Sequence, residues 1–434
     1  MTGQTVPGAH HGFDRIWQCL SCILSGKTPL RSVPRLLEVF DGCYELGPSQ
    51  AVPAWTTSRM WLMRFGLGQL RQPVVQADDW VLMLDHSVQL GRDRCLSVLG
   101  LRLSEMPPGP LQRSDLRLLH LKVMRDPNMN SNYQELLQVI ERTGSPRVVL
   151  CDHGADVLGA VRLLHQGSRS HRAILDIYDV KHRVAVALKH RLEPEPRWSE
   201  FLSQIGKTRN AAKQTEWAFL LPPVLRSKSR YLNLGELIRW ATQTSWLIEH
   251  QPKALLEHGD PARLEEKLGW LRGFAEDLGL WRQWYQVAAR TEQVVRNQGF
   301  YHGVAVEVRQ RLQQVTTLAQ SKDLASEMVA YVADQCQGLN PGERVPGSTQ
   351  VLESCFGTLK ALEKDHCRSG FTGLVLGLAA LVGKVTKEVV RQALASTPLK
   401  AVRHWCEQNI GSSLQSKRGQ VYRLARLAGV TDLG

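Results

Sequence analysis

The sequence predicts a mixed α/β fold in which one β-sheet domain is interrupted by an all-α insertion. From residue 76 to residue 191 the apolar pattern changes in the order three strands, helix, strand, helix, strand, helix. Consecutive strands form an antiparallel meander, whereas strands separated by a helix pair in parallel. From residue 192 to residue 340 the pattern is helical throughout and contains seven of the twelve tryptophans. This range therefore predicts a separate all-α domain inserted into the sheet domain.

Length and charge narrow the class of protein. The chain has 434 residues, enough for two or three domains, and a formal net charge of +13. A balance this basic predicts a polyanionic partner. Nucleic acid is favoured over a membrane, because no apolar run approaches the roughly 20 residues that a membrane-spanning helix needs. Residues 1–13 are polar and lack the apolar core of a signal peptide, which predicts a cytoplasmic protein.

The cysteines and glycines argue against several common cofactors. The nine cysteines are odd in number and scattered, which fits a reducing compartment. Cys19 and Cys22 form one C-x-x-C pair without a matching second pair, so no zinc site is predicted there. The chain contains no P-loop and no G-x-G-x-x-G motif after a predicted strand, so nothing indicates nucleotide hydrolysis or a dinucleotide cofactor.

Three helices are predicted before the sheet, over 15–24, 34–40 and 56–67. Two helices, a turn and a third helix with basic side chains are typical of a helix-turn-helix DNA-binding domain, which we predict over residues 1–75. The basic residues that would contact DNA from this domain are Arg31, Arg35, Arg59 and Arg64. A small helical bundle with solvated arginines is the alternative.

Acids stand at the ends of two predicted strands in the sheet domain. The predicted strands are 80–85, 95–103, 116–123, 147–152 and 173–178, and the helices after the third, fourth and fifth strands are 133–142, 157–165 and 180–191. This order matches the ribonuclease-H-like architecture, in which the first and fourth strands lie side by side. Asp85 ends the first strand and Asp152 ends the fourth. We therefore expect these two carboxylates to lie close together.

A third acid follows the helical insertion. A Pro-Gly loop leads into a helix predicted over 350–364, which carries Glu353 and Lys360. Seven residues make two helical turns, so the two side chains share one helix face. Residues 341–395 would complete the sheet domain, and residues 396–434 are predicted as a C-terminal helix and a basic tail. The alternative for Glu353 and Lys360 is a solvated acid and base on an amphipathic helix.

These residues resemble those of DDE transposases, and most closely those of bacterial insertion-sequence transposases with an N-terminal helix-turn-helix. The matching stretches are Leu84-Asp-His-Ser, Cys151-Asp-His-Gly and Leu352-Glu-Ser-Cys-Phe-Gly-Thr-Leu-Lys360. The resemblance implies an enzyme that binds double-stranded DNA, both transposon ends and target, as a homo-oligomer that we expect to be a dimer. It also implies a bacterial protein associated with the nucleoid. Hairpin-forming relatives often carry an Arg four positions before the glutamate, where this chain has Thr349.

The chemistry of phosphodiester transfer explains why the three residues are acids. Two divalent ions serve the attacking and the leaving oxygen, and Mg²⁺ and Mn²⁺ prefer carboxylate ligands. We expect two such ions per active site, with Asp85 bridging both and Asp152 and Glu353 each holding one. Water would attack first, and the freed 3′-hydroxyl would then attack target DNA. The resemblance implies that Lys360 contacts a phosphate near the scissile bond, and Lys364 is a further DNA-contact candidate.

Other acids and histidines compete for roles in this site. Asp176 and Asp179 rival Asp152 as the second acid, or act with His182 as auxiliary ligands. Asp152 is preferred because it occupies the fourth-strand position. His86, His153 and His182 either orient ligands or are structural.

Two functions besides transposition remain open. One is a non-catalytic, domesticated DNA-binding regulator, against which the complete set of acids argues. The other is a ribonuclease-H-like nuclease or resolvase, which would share the active site. One or two of the tryptophans in the insertion could also stack on an unpaired base at a DNA end.

Overall fold

The structure is a computed structural model that describes residues 6–44, 51–90, 92–167, 173–224, 231, 234–363, 371–412 and 414–427. The chain forms two compact units. The first unit combines Met1–Ile177 with Thr349–Gly434, and the second is Tyr178–Ser348. The second unit therefore interrupts the first in sequence. Within the described residues, no helix combines the length and the apolar character that crossing a membrane requires.

The first unit is built on one five-stranded mixed sheet. Its strands are β1 (Trp80–Leu90), β2 (Asp93–Arg102), β3 (Arg117–Arg125), β4 (Val148–Cys151) and β5 (Leu175–Tyr178, whose last residue opens the second unit). Their spatial order is β3-β2-β1-β4-β5. β1 and β3 pair with β2 in antiparallel fashion, and β1 pairs with β4 in parallel. The predicted meander and the adjacency of the first and fourth strands are confirmed.

The first hairpin is longer than the sequence pattern predicts. β1 continues past Asp85 to Leu90, and β2 already begins at Asp93. The extra residues are mostly polar, but the antiparallel ladder is held by backbone hydrogen bonds and pairs Ser87 with Cys95. Asp85 therefore lies within β1 and not at its end. It stands at the level where the neighbouring strand β4 stops.

The described residues form eighteen α-helices besides the sheet. The helices before the second unit are α1 (Phe13–Leu24), α2 (Ser32–Tyr44), α3 (Trp55–Leu70), α4 (Met129–Thr143) and α5 (Ala155–Gly167). The second unit holds α6 (Val180–Leu192), α7 (Pro196–Ala212), α8 (Leu234–His250), α9 (Lys253–Leu256), α10 (Pro261–Leu268), α11 (Ala275–Gln298), α12 (Val304–Gln313) and α13 (Ala319–Gln335). The chain ends with α14 (Gln350–Glu363), α15 (Gly377–Ala380), α16 (Lys387–Ser396), α17 (Leu399–Asn409) and α18 (Leu414–Leu427).

The sheet is buried on both faces. Alternate residues of β1, including Leu82 and Leu84, form one core with apolar side chains of α4 and α5. The intervening residues Val81 and Met83 point to the other face and are fully buried as well. Strands covered on both sides need apolar residues at successive positions, which explains the continuous apolar run from Trp80 to Leu84.

The second unit is all-α and wider than the predicted insertion of 192–340. The sequence pattern predicts α6 as part of the sheet domain, whereas in the structure this helix packs against α11 of the second unit. Four of the tryptophans in this unit are buried, namely Trp198, Trp217, Trp281 and Trp284. Their rings and neighbouring phenylalanines make edge-to-face contacts, for example Trp198 with Trp281 at 4.9 Å between centroids.

Most of helix α3 packs in the core of the first unit, and the structure does not show the predicted helix-turn-helix domain. All residues from Trp61 to Leu70 are buried except Gln69, which is half-buried. A helix that reads DNA must present polar side chains to the groove, and on α3 the accessible polar positions, such as Thr56 and Arg59, lie in its first two turns. Helix α3 packs against α1, α15, α16 and α17. The N-terminal helices thus share one compact unit with the sheet and the C-terminal helices.

Arg64 is buried within this packing and is not available to a DNA backbone. Its side chain is only 4% exposed. Nε donates to the carbonyl of Thr397 at 2.8 Å, and Nη2 donates to the carbonyls of Leu394 at 2.6 Å and Pro7 at 3.1 Å. Burial lowers the pKa of Arg64 from its ordinary value. Arg64 therefore ties α3 to the end of α16, and we remove it from the candidate DNA contacts.

We expect Gly66→Ala to destabilise the first unit strongly. A methyl group on Gly66 would overlap the carbonyl oxygen of Leu376, which is backbone and cannot move aside. Such overpacking costs about 3 kcal/mol of unfolding free energy. Gly42→Ala in α2 is the matched control, because its methyl group would meet nothing within 4 Å, and it should be neutral or slightly stabilising. Urea unfolding of both variants checks the packing of α3, and equal stabilities would contradict it.

Candidate active site

Asp85 lies in β1, and Asp152 is the first residue after the neighbouring parallel strand β4. The register pairs Met83 of β1 with Leu150 of β4. Each aspartate follows its paired residue by two positions, so both belong to the same sheet face and the same level. Parallel strands run about 4.8 Å apart, which sets the separation of the two backbones. Both side chains are half-buried, at the point where the apolar cover of the sheet ends.

Local hydrogen bonds fix the backbone and side chain at this level. The hydroxyl of the buried Ser97 in β2 donates to the main-chain carbonyl of Asp85 at 3.2 Å. The Oδ1 atom of Asp152 accepts the backbone N–H of Gly154 at 2.9 Å. This second bond closes a short turn between β4 and α5, so the carboxylate is oriented by the chain that follows it.

His86 follows Asp85 in β1, and its side chain points to the opposite face of the sheet. Its Nε2 atom is 3.0 Å from Oδ1 of Asn132, a fully buried residue of α4. Burial lowers the pKa of His86, and this outweighs the opposing effect of the Asn132 hydrogen bond and of the carboxylates of Asp152 and Asp156. His86 itself anchors α4 and does not face the two aspartates.

Glu353 lies in the first turn of α14, in the same unit as β1 and β4, and is half-buried. The apolar side of α14 is formed by residues spaced three or four apart, and all of them are buried: Leu352, Cys355, Phe356, Leu359 and Leu362. Lys360 is exposed two turns after Glu353. Lys364 lies outside the described residues.

Arg113 holds α14, and pattern reasoning missed it. This residue lies in the 3₁₀ turn Arg113–Asp115 that precedes β3. Its Nη2 atom donates to the carbonyl and the hydroxyl of Ser354, each at 2.8 Å, and to the hydroxyl of Thr358 at 2.7 Å. These bonds attach the Glu353 helix to the meander. An arginine in a polar loop offers no sequence signal for such a role.

Asp176 does not join Asp85 and Asp152. Its Oδ1 atom is 3.0 Å from Nε2 of His153. One donor atom of each of Asp176, His153 and Cys151 lies within 4.8 Å of the others. Cys151 belongs to the core under α4 and α5, so this group lies on the face opposite Asp152. The sequence signal for this group is that Cys151 and His153 lie one residue before and one residue after Asp152. Side chains alternate along a strand, so both belong to the face opposite Asp152.

Asp179, predicted as an auxiliary-ligand candidate, is the N-cap of helix α6 and belongs to the second unit. Its side chain is 1% exposed. Its Oδ1 atom accepts the backbone N–H of His182 at 3.0 Å and lies 3.3 Å from Nδ1 of the same residue. A carboxylate that is buried and satisfies the first turn of a helix is structural. His182 is its partner at that helix end.

The remaining basic candidates are at least partly accessible. Arg31 and Arg35 are exposed, and Arg59 is half-buried. The guanidinium of Arg31 lies over the ring of Trp55, with 5.4 Å between its central carbon and the ring centroid. Such stacking orients the guanidinium without neutralising its charge.

Comparisons with known proteins add little to this geometry. No family model matches the chain, and no curated protein matches it. Among solved structures it is similar to the Drosophila P element transposase strand transfer complex, with a TM-score of 0.41 and 10% sequence identity. The alignment covers 88% of this chain and 92% of that chain. A similarity this low assigns neither a fold nor a function to this chain.

The position of Asp152 can be tested through His86. Asp152→Asn removes a negative charge that favours the protonated imidazole, so we expect the pKa of His86 to fall further below its usual value. An NMR titration of His86, assigned with a His86→Gln variant, measures this. Asp78→Asn is the matched control, because exposed Asp78 precedes β1 and lies about 20 Å or more from His86 along the strand. An unchanged pKa in Asp152→Asn would contradict the proximity of Asp152 to β1.

Proposed function

We propose that this chain is a DNA transposase of the DDE type, an enzyme that cuts DNA at transposon ends and joins the freed ends to target DNA. The observation that supports the proposal is the parallel register of β1 and β4, from which we expect Asp85 and Asp152, the residue after β4, at the same level. A third acid, Glu353, belongs to the same unit. The sheet order and the helical unit between β5 and α14 support the same proposal.

The donor set fits a hard divalent cation. Asp85, Asp152 and Glu353 offer only carboxylate oxygens, which suit Mg²⁺ and Mn²⁺. Their half-buried positions leave them reachable by a phosphodiester while the sheet holds two of them rigidly. Two bound ions would supply activation of the attacking hydroxyl and stabilisation of the leaving oxygen. We assign Asp85 to both ions and Asp152 and Glu353 to one each.

Basic side chains of the chain would bind and orient the DNA. Lys360 stands about 10 Å beyond Glu353 along α14, a distance that suits a contact to a phosphate beside the cleaved one. Arg31, Arg35 and Arg59 carry positive charge at the N-terminal helices. Helix α18 adds an exposed basic surface with Lys417, Arg418, Arg423 and Arg426. The net charge of +13 supports association with a polyanion. We propose a homodimer as the active form, because two ends must be joined together.

Trp246 is the tryptophan that we propose for stacking on an unpaired base. Its side chain is 51% exposed, unlike the buried tryptophans of the same unit. The ring of His250 stacks on it at 4.6 Å between centroids and 18° between planes. This contact restricts the orientation of the indole ring. Less conformational entropy is therefore lost when a base stacks on it.

Strand cleavage tests the proposed site. The substrates are labelled duplexes that contain the ends of the transposon, the DNA segment that would carry this coding sequence. We expect these duplexes to be cut in the presence of Mg²⁺ or Mn²⁺. Asp85→Asn, Asp152→Asn and Glu353→Gln keep the side-chain shape but remove the charge that holds the ions. Each should reduce cleavage on the order of 10³-fold or more while DNA binding persists. Asp78→Asn, an exposed acid outside the site, should cleave like the wild type.

The outcomes separate the competing functions. Wild-type binding without cleavage in either metal would favour the non-catalytic regulator. Cleavage without joining to a target would favour a nuclease or resolvase. Cleavage that survives Asp152→Asn but is lost in Asp176→Asn would move the second metal ligand to the other face of the sheet.

We expect Trp246→Ala to weaken binding of duplexes with one unpaired base at the cut end. Loss of one stacked base costs about 1–3 kcal/mol, or roughly 5- to 150-fold in affinity. Binding of fully paired duplexes should not change. Phe219→Ala is the matched control, because Phe219 is an equally exposed aromatic residue of the same unit. Fluorescence anisotropy on both duplexes measures the difference, and an equal loss on both would contradict stacking by Trp246.

A further inference from the structure

A second constellation of metal-binding side chains lies in the first unit. It consists of Cys151 at the end of β4, His153 in the following turn and Asp176 in β5, and we refer to it as the Cys-His-Asp cluster. One ligand atom of each residue lies within 4.8 Å of the other two. We propose that this cluster binds one thiophilic divalent cation of the zinc type, separate from the carboxylate site of Asp85 and Asp152.

The donor set decides which cation fits. One sulfur, one imidazole nitrogen and one carboxylate oxygen form a mixed set that suits Zn²⁺ and related ions, whereas Mg²⁺ and Mn²⁺ prefer oxygen ligands throughout. Zinc bonds of about 2.0–2.3 Å in a tetrahedron set its ligands about 3.3–3.8 Å apart. The 3.0 Å between Nε2 of His153 and Oδ1 of Asp176 is already close to such an edge. Three protein ligands leave a fourth position for water, and binding releases the proton of the thiol.

The backbone supports convergence of the three side chains. Cys151 and His153 stand on either side of Asp152, so they turn to one face while Asp152 turns to the other. His153 has φ of 56°, in the left-handed region that side-chain-bearing residues rarely adopt. Chain reversal at this residue brings its ring to Asp176, which β5 delivers from the neighbouring strand.

The exposure of the three side chains favours binding of a cation over a covalent reaction of the Cys151 thiol. Cys151 is fully buried, so its sulfur cannot reach a bulky substrate as a nucleophile. The side chains of His153 and Asp176 are 20% and 23% exposed. A small ion can enter between these two residues and reach the thiol beneath them.

Occupancy would constrain the residue between the ligands. A cation held by Cys151, His153 and Asp176 joins the ends of β4 and β5 and fixes the backbone on both sides of Asp152. The consequence for strand cleavage rests on the proposed function of Asp152, but binding of the cation does not.

Cobalt binding to the full-length chain tests the proposal. The protein is stripped with a chelator and titrated with Co²⁺, whose thiolate charge-transfer and ligand-field absorption report coordination by sulfur in a tetrahedral site. We expect one Co²⁺ per chain, displacement by one equivalent of Zn²⁺ and no displacement by millimolar Mg²⁺. Zn²⁺ should also raise the melting temperature of the wild type.

Variants assign the site. His153→Gln and Asp176→Asn should each weaken Co²⁺ binding roughly 10-fold or more, and Cys151→Ala should remove the thiolate band. Circular dichroism confirms that each variant is folded; if Cys151→Ala is not, the partly exposed His153 and Asp176 variants decide. Cys22→Ala is the matched control, because Cys19 and Cys22 of α1 are two closely spaced cysteines outside the cluster.

Two results would overturn the proposal. One is the absence of a thiolate band in the folded wild type at saturating Co²⁺. The other is a band that survives in His153→Gln and Asp176→Asn but disappears in Cys22→Ala, because the ion would then be held by α1. Neither result depends on DNA cleavage, so failure here is distinct from failure of the proposed enzyme function.

Discussion

The parallel pairing of β1 with β4 is the constraint on which the rest of the first unit depends. It joins segments that are far apart in sequence, since Val81 pairs with Val148. The backbone of Arg147 completes the connection: its N–H donates to the carbonyl of Trp80, and its carbonyl accepts the N–H of Leu175, both at 2.8 Å. The backbone of Arg147 thereby aligns β1, β4 and β5. The relative level of Asp85 and Asp152 follows from this alignment and not from any contact between the two side chains.

The alternation of a strand separates two kinds of chemistry within three consecutive residues. By the alternation of the strands, Asp152 belongs to the face of Asp85, where the two aspartates offer carboxylate oxygens. Cys151 and His153 turn to the face of α4 and α5, where sulfur and nitrogen are available. Because the sheet lies between them, neither set competes for the ion that suits the other. The proposed carboxylate site and the proposed Cys-His-Asp cluster therefore lie on opposite sides of one short segment.

The helices of the first unit show how a site can be positioned from a distance. Helix α14 brings Glu353 into the unit, and Arg113 fastens it to the turn before β3 through three hydrogen bonds. Helix α3 contributes apolar packing and the buried Arg64. The guanidinium of Arg64 donates hydrogen bonds to backbone carbonyls. A guanidinium in that environment stabilises the junction of the N-terminal and C-terminal segments and has no share in recognition of a polyanion. The accessible charge lies elsewhere, on Arg31, Arg35 and the exposed helix α18.

The sequence by itself determined the number and order of the strands, the pairing of the first with the fourth, and the amphipathic helix of Glu353. These features follow from apolar periodicity, which reports burial within one element. Only the tertiary structure decided the length of β1, the burial of Arg64, the cap formed by Asp179 and the grouping of Asp176 with Cys151 and His153. The physical reason is that backbone ladders extend through polar residues as well as apolar ones, and that an aspartate before a helix has the same local pattern whether it caps the helix or binds a metal. The partner of a polar group is set by chain segments distant in sequence, and local patterns carry no information about them.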